Sequence, residues 1–273
     1  RRAMAERGNL LPGAFAGTAA VYARYRPPYP PALLDQLLEH AARPPGGMLL
    51  DLACGPGRLA LDLAGSFQTV WAVDLEPEMI EVGRQEAERR GVGNLRWSVG
   101  RAEDLAAPAG GFDLITIGEA FHRLDQGLVA RQALGWLAPG GCLALLGCRN
   151  ILDGEADWQT AVAEVARRWM ARAFPAGWGA ACEGAAVGPG SYARVLQAAG
   201  FAQVTERDFD EPRAWTFDEI VGYLQSTSVC SRQALGDFNA FEAELRAALG
   251  DPTVAQTFHE TMNWGYTVGR KLS

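Results

Sequence analysis

Lysine is almost missing from this chain. Lys271 is the only one, and nearly all positive charge rests on arginine. The net charge is −7, so no basic excess is available to neutralise a phosphate backbone, which argues against a nucleic-acid partner. Histidine is scarce too: His40, His122 and His259 lie far apart, which leaves little from which to build a metal site. The five cysteines, at 54, 142, 148, 182 and 230, are odd in number and contain no Cys-x-x-Cys pair. That excludes a zinc ribbon or a disulfide framework and suits a reducing cytoplasm. No charged-then-apolar leader opens the chain, and no apolar run is long enough to cross a bilayer. Repeats and low-complexity tracts are absent. Arg1 to Leu11 read as a loose terminus.

What is present is an alternation. Helical spacing of Leu33, Leu34, Leu37 and Leu38 predicts a helix over Pro31 to Ala42. Met48 to Ala53 is a short apolar run broken only by Asp51, a buried strand. A glycine loop and the helix of Leu59, Leu61 and Leu63 follow. Further strands are expected at Thr69–Val73, Leu95–Val99, Phe112–Ile117 and Cys142–Leu146, with a helix over Glu76–Arg90 that starts on Pro77 and stops at Gly91. Beyond Cys148 the rhythm changes. Trp158, Val162, Val165 and Trp169 mark an amphipathic helix, and Phe174 to Gly190 reads as a long loop or lid. A helix from Ser191, a strand at Phe201–Phe209, a helix capped by Thr216 and Glu219, another through Phe238 and Leu245, and a strand over Trp264–Arg270 complete the pattern. This is an α/β chain with a doubly wound, mostly parallel seven-stranded sheet. Four parts are expected: an N-terminal helical lid (1–42), a Rossmann-like core (43–149), an inserted helical cap (150–190) and a C-terminal remainder (191–273).

The glycine loop is Asp51-Leu-Ala-Cys-Gly55-Pro-Gly57-Arg-Leu-Ala60. Gly55 and Gly57 let the backbone approach a ligand beside the amide-rich start of a helix. Asp74 ends the next strand at the distance expected of an acid that holds a ribose. The same loop satisfies G-x-G-x-x-A, so a nicotinamide-dependent oxidoreductase is a real competitor. Three features favour another reading: Asp51 inside the first strand, Gly100-Arg-Ala-Glu-Asp-Leu105 after the third, and continuation of the chain past strand five.

Together these motifs, over roughly Gly46 to Cys148, resemble the class I S-adenosylmethionine-dependent methyltransferases. Ala53 departs from that family, which usually has glycine there. "RYRPPYP", "AFHRLD" (Ala120 to Asp125) and "WTFDEIVGYLQSTS" (Trp215 to Ser228) are similar to a subgroup related to trans-aconitate methyltransferases, whose fourth-strand motif usually reads Ala-Phe-His-Trp-Phe-Asp. Arg123 and Leu124 differ. The resemblance implies S-adenosylmethionine as cofactor and assigns roles residue by residue. Asp51, Ala53, Cys54, Gly55 and Gly57 would hold the methionine part, and Asp74 the ribose hydroxyls. Leu75 and Met79 would pack on adenine, with Ala102 and Glu103 at its amino edge. Gly118 and Glu119 would lie near the sulfonium. Arg26 is the candidate for the cofactor carboxylate, beside Tyr25.

Methyl transfer from a sulfonium needs alignment and a dry pocket more than a nucleophile. An acceptor hydroxyl or ammonium must lose a proton, and His122 is the first choice of base, with Asp125 to orient it and Glu119 as a secondary candidate. Tyr22, Trp158 and Trp178 are expected to line the acceptor site. Pro27-Pro-Tyr29 invites comparison with the clamp of nucleic-acid amino-methyltransferases. It follows no strand and leads straight into a helix, so it reads as a stiff start to that helix, with Tyr22 and Tyr25 folded over the cofactor. The expected activity is methylation of a small molecule at oxygen or nitrogen, possessed by a cytoplasmic monomer or homodimer. A sulfonium-binding protein without activity is the remaining alternative.

Overall fold

The computed structural model describes residues 13, 15–40, 46–175, 190–250 and 257–272. The expected loose terminus up to Leu11, the residues after His40 in the first long helix, and most of the loop before Gly190 (Trp178 included) lie outside them. Two helices come first, α1 (Ala19–Tyr25) and α2 (Pro31–His40). Proline ends one and starts the other. Arg26 precedes Pro27 and is held extended, with ψ 132°. Pro31, which needs no amide partner in the first turn, opens α2. Leu33 and Leu37, one turn apart, bury the inner face of α2 completely.

The sheet is then laid down as β1 (Met48–Leu52), α3 (Arg58–Leu63), β2 (Thr69–Asp74), α4 (Pro77–Arg90), β3 (Leu95–Val99), β4 (Phe112–Gly118), α5 (Gln126–Trp136) and β5 (Leu137–Cys148). Beyond these come α6 (Asp157–Ala173), α7 (Ser191–Ala199), β6 (Ala202–Trp215), α8 (Phe217–Gln225), α9 (Arg232–Leu235), α10 (Phe238–Leu249) and β7 (Phe258–Arg270). The order across the sheet is β3-β2-β1-β4-β5-β7-β6, and β7 alone runs antiparallel to its neighbours. This is the doubly wound, mostly parallel, seven-stranded sheet expected. Both faces are covered, so the central strands are mostly apolar, with Asp51, Asp113 and Thr116 the buried polar residues of β1 and β4. Leu49, Leu114 and Ala144 point into one core, and their neighbours Leu50, Ile115 and Leu143 into the other.

Two strands are longer than their sequence suggests. β6 runs on from Phe209 to Trp215, and β7 begins at Phe258, six residues before Trp264. The extension is a two-stranded ladder that pairs Pro212 with Thr261 and Trp215 with Phe258. β6 is an edge strand, where a proline is tolerated and no buried face demands alternation. The cap helix α6 spends its apolar stripe inside the molecule: Val162 and Val165 are buried, and Trp169 meets Phe241 of α10 edge-on at 5.8 Å. No helix among the described residues is long and apolar enough to cross a membrane.

Candidate active site

The strand order reverses between β1 and β4, and a cleft opens there, at the carboxyl ends of the strands, where ligands bind in such sheets. Its floor is the loop after β1. Ala53 has φ 50°, Gly55 φ 56° and Gly57 φ 73°. Ala53 therefore carries a side chain in the left-handed region, a conformation that favours glycine. Gly55 lines the cleft, and its N–H donates to Asp74 Oδ2 at 2.7 Å. Gly57 does not line it. Its missing side chain makes room for Trp97 of β3, whose ring a Cβ would strike. Gly83 of α4 faces the same ring, so Trp97 is wedged between the loop and α4. Close helix–sheet packing, rather than approach to a ligand, explains the second glycine.

Asp51 is fully buried in β1. It accepts from Thr116 Oγ1 at 2.8 Å and from the Ala60 N–H at 3.2 Å, tying β1 to β4 and to the first turn of α3. Burial outweighs these two donors and pushes its carboxyl up to about 7. Asp74, at the end of β2, accepts from the Gly55 and Glu76 amides at 2.7 and 2.9 Å. Its pKa is raised by burial, against the pull of those same amides. A carboxylate has lone pairs for two further donors, and Asp74 lines the cleft. Leu75, Met79, Ala102, Glu103, Gly118 and Glu119 line it too.

Sequence reading missed two parts of this wall. Phe15 covers the cleft, its ring 4.8 Å below the Arg123 guanidinium, and the segment is pinned by the Gly13 N–H donating to Glu76 Oε1 at 2.7 Å. Arg123 itself is a wall residue. Phe15 carries no local motif and meets the cleft only through contacts distant in sequence, whereas Arg123 lies in the stretch after β4 together with other wall residues.

Glu119 follows β4 with φ 53°, its N–H bonded to Leu146 O at 2.8 Å. Oε1 faces Arg26 at 3.5 Å and accepts from Cys148 Sγ at 3.2 Å. Oε2 is buried and has no partner among the described residues. Arg26 is enclosed. Its Nε donates to Ser226 Oγ at 2.9 Å, and its guanidinium lies between the rings of Tyr22 and Tyr223, 4.7 and 4.8 Å from their centres. Tyr22 lines the cleft, but Tyr25 packs against Gly222 of α8 instead.

His122 is mostly buried after β4. Arg123 Nε donates to its Nε2 at 3.2 Å, which makes Nε2 the acceptor and puts the ring proton on Nδ1. Burial and the Arg123 charge lower its pKa to about 4. The lone pair a base would use is thus engaged. Asp125 is the N-cap of α5, accepting from the Leu128 N–H at 3.0 Å, while its own N–H donates to Glu103 Oε1. No contact joins it to His122 among those the structure gives. Trp158 stands apart from the cleft, 5.6 Å from the Phe258 ring and donating to His259 O. Cys54 borders a smaller cavity behind the loop, and burial raises its thiol well above the ordinary value, so it carries no nucleophile.

Residues 49–141 match the family described as methyltransferase domain. Nocamycin O-methyltransferase of Saccharothrix syringae is 32% identical over 208 residues, an alignment covering 71% of this chain and 73% of that protein. The chain belongs to the class I S-adenosylmethionine-dependent methyltransferases. An uncharacterised methyltransferase of Mycobacterium tuberculosis is 31% identical over 154 residues, or 56% of this chain, and the match spans only 59% of that relative's length. A solved structure described as a type II methyltransferase, from Anaeromyxobacter dehalogenans, has the same fold: TM-score 0.61 at 23% identity, covering 91% of this chain and 99% of that one. The oxidoreductase reading of the glycine loop gives way to this membership. Topology agrees, because a dinucleotide-binding sheet runs in the order 3-2-1-4-5-6, whereas in this methyltransferase an antiparallel β7 separates β5 from β6.

Proposed function

We propose that this chain methylates an oxygen or nitrogen of a small-molecule acceptor, with S-adenosylmethionine as donor. The observation that carries the reading is the cleft: Asp74, with acceptor capacity to spare, stands on one side of the Gly55 loop, and the unpartnered Glu119 Oε2 on the other. These residues fit a nucleoside with a charged sulfur. Asp74 would take the ribose hydroxyls. Leu75, Met79 and Ala102 would bound adenine, Glu103 its amino edge, and Phe15 and Leu124 would cover it. Gly118 marks the sulfur end. When bound, the cofactor supplies an electrophilic methyl group on a sulfonium.

The chain's own task is then to align the acceptor, to keep water out and to take a proton. Glu119 is better placed for the proton than His122, since one of its carboxylate oxygens is free whereas Arg123 holds the His122 lone pair. The relative named nocamycin O-methyltransferase supports a hydroxyl on a small molecule, in a tailoring step of biosynthesis. Calorimetry with S-adenosylhomocysteine tests the reading. Two charge-assisted bonds to ribose contribute about 3 kcal/mol or more, so Asp74→Ala should weaken binding about 100-fold. Wild-type protein that ignores this ligand and binds reduced nicotinamide would overturn the proposal. Binding without transfer of radiolabelled methyl to any metabolite fraction would leave a cofactor-binding protein with no activity.

A further inference from the structure

Glu103 is held in place from α5. It sits in a single turn of 3₁₀ helix, Ala102–Asp104, just after β3, and its side chain is only 9% exposed. Oε1 accepts from the Asp125 N–H at 3.2 Å, and Oε2 lies 3.4 Å from Arg101 Nη2. The main chain of the same residue is gripped separately: Gln132 Nε2 donates to the Glu103 carbonyl at 2.8 Å. Asp125 and Gln132 are seven residues apart, close to two turns of helix, so one face of α5 holds Glu103 by both its side chain and its backbone. Gln132 leaves its other amide atom unused. Oε1 is buried and has no partner among the described residues. A buried acceptor without a donor is destabilising, and an apolar side chain of similar length would avoid it. The Glu103 carbonyl accepts and cannot donate, so the amide must turn its nitrogen that way. The orphan oxygen therefore marks a side chain placed for its donor and not for its packing.

We propose that Gln132 is a positioning residue for nucleobase selection: by fixing this turn it aims the Glu103 carboxylate, and so sets the preference for adenine over a 6-oxo purine. The inference rests on the donor and on the Glu103 contact proposed above. A carboxylate only accepts, and lone pairs remain on Glu103 beside those that Asp125 and Arg101 meet. The amino group of adenine can donate to them. A 6-oxo group sets a second acceptor against a buried acceptor, and a site built to accept from an amino group rejects the analogue that lacks it. Gln132 is not among the residues that line the cleft, so it acts on the base only through Glu103.

S-adenosylhomocysteine and S-inosylhomocysteine differ at that edge of the purine alone. Calorimetry on the full chain should find wild type about 10- to 100-fold tighter for the first. Gln132→Met should weaken the adenosyl ligand about 5-fold, the worth of about one hydrogen bond, and change the inosyl ligand by less than about 2-fold. Gln132→Glu keeps the shape and offers no donor; it should narrow the preference in the same way, and it decides the matter if Gln132→Met does not fold. Gln132→Lys restores a donor and should hold the preference within about 2-fold of wild type. Equal losses for both ligands in the Met and Glu variants, or a preference narrowed as much in Gln132→Lys, would overturn the assignment and leave Gln132 a packing residue. A wild-type preference that survives Glu103→Gln would remove the adenine contact itself, and wild type that binds neither ligand would remove the donor. Either result takes the proposal with it, yet each is distinct from failure of Gln132 alone.

Discussion

Asp51 offers a stability test that needs no substrate. Its carboxyl, 1% exposed between β1, β4 and α3, ionises at about 7 instead of the ordinary 3.8. The native state therefore binds a proton that the unfolded chain has already released, throughout that interval. Stability is fully retained below pH 3.8, declines as pH rises, and the loss is complete above about 7. At about 1.4 kcal/mol per pH unit, the whole interval corresponds to a loss on the order of 4 kcal/mol. Asp51→Asn has nearly the same shape, cannot ionise, and can still accept from the Ala60 N–H while its amide donates to Thr116 Oγ1. Urea denaturation of both proteins at pH 5, 6, 7 and 8 cancels every other titrating group in the difference. Wild type should lose about 2 kcal/mol relative to the variant between pH 5 and 7, a few tenths more by pH 8, and little beyond. A difference that does not change with pH would mean that Asp51 is ionised throughout, the Thr116 and Ala60 donors having outweighed burial.

Other consequences can be measured separately. Gly83→Ala would put a Cβ 2.6 Å from the Trp97 ring and 3.0 Å from Pro56 O; overpacking of that kind costs about 1–3 kcal/mol, read by denaturation, and Trp97→Leu in the same chain should recover part of it. His122 should show no imidazole titration near neutrality by NMR, and Arg123→Gln should move its midpoint up from about 4 towards 6.5 without reaching it, because burial remains the larger cause. A midpoint unchanged in that variant would discount the Arg123 contact. Glu119→Gln should lower kcat by about 100-fold or more while leaving the affinity for S-adenosylhomocysteine within about 3-fold; undiminished turnover would remove Glu119 as the base.

The parallel half of the sheet was readable from residues alone, for a physical reason. A strand covered on both faces is an apolar run, and the chain must turn polar or glycine-rich where it leaves the core, as at Asp74 and Gly91. β3 matched residue for residue. The outer strand pair was cut short because Asp210, Glu211 and Pro212 carry no strand signal; backbone pairing with β7 alone makes them one. Within the site, Asp74 and Gly55 were legible because strand, loop and helix place them locally. Phe15 was not, since its partner over the cleft, Arg123, lies far along the chain. Tyr25 turns away from the cleft because α8 decides where it points, against Gly222.

The placing of β7 governs how the far side of the molecule is assembled. β6 touches the rest of the sheet only by way of β7, and β7 is the later of the two in the chain. Until it arrives, Cys142 to Cys148 present an open rank of amides and carbonyls, and β6 has nothing to zip against. A change that weakens the grip of β7 on β5 would therefore cast off two strands together and bare a sticky margin beside the reaction centre. Such a lesion would be met first as aggregation, and only afterwards as lost turnover.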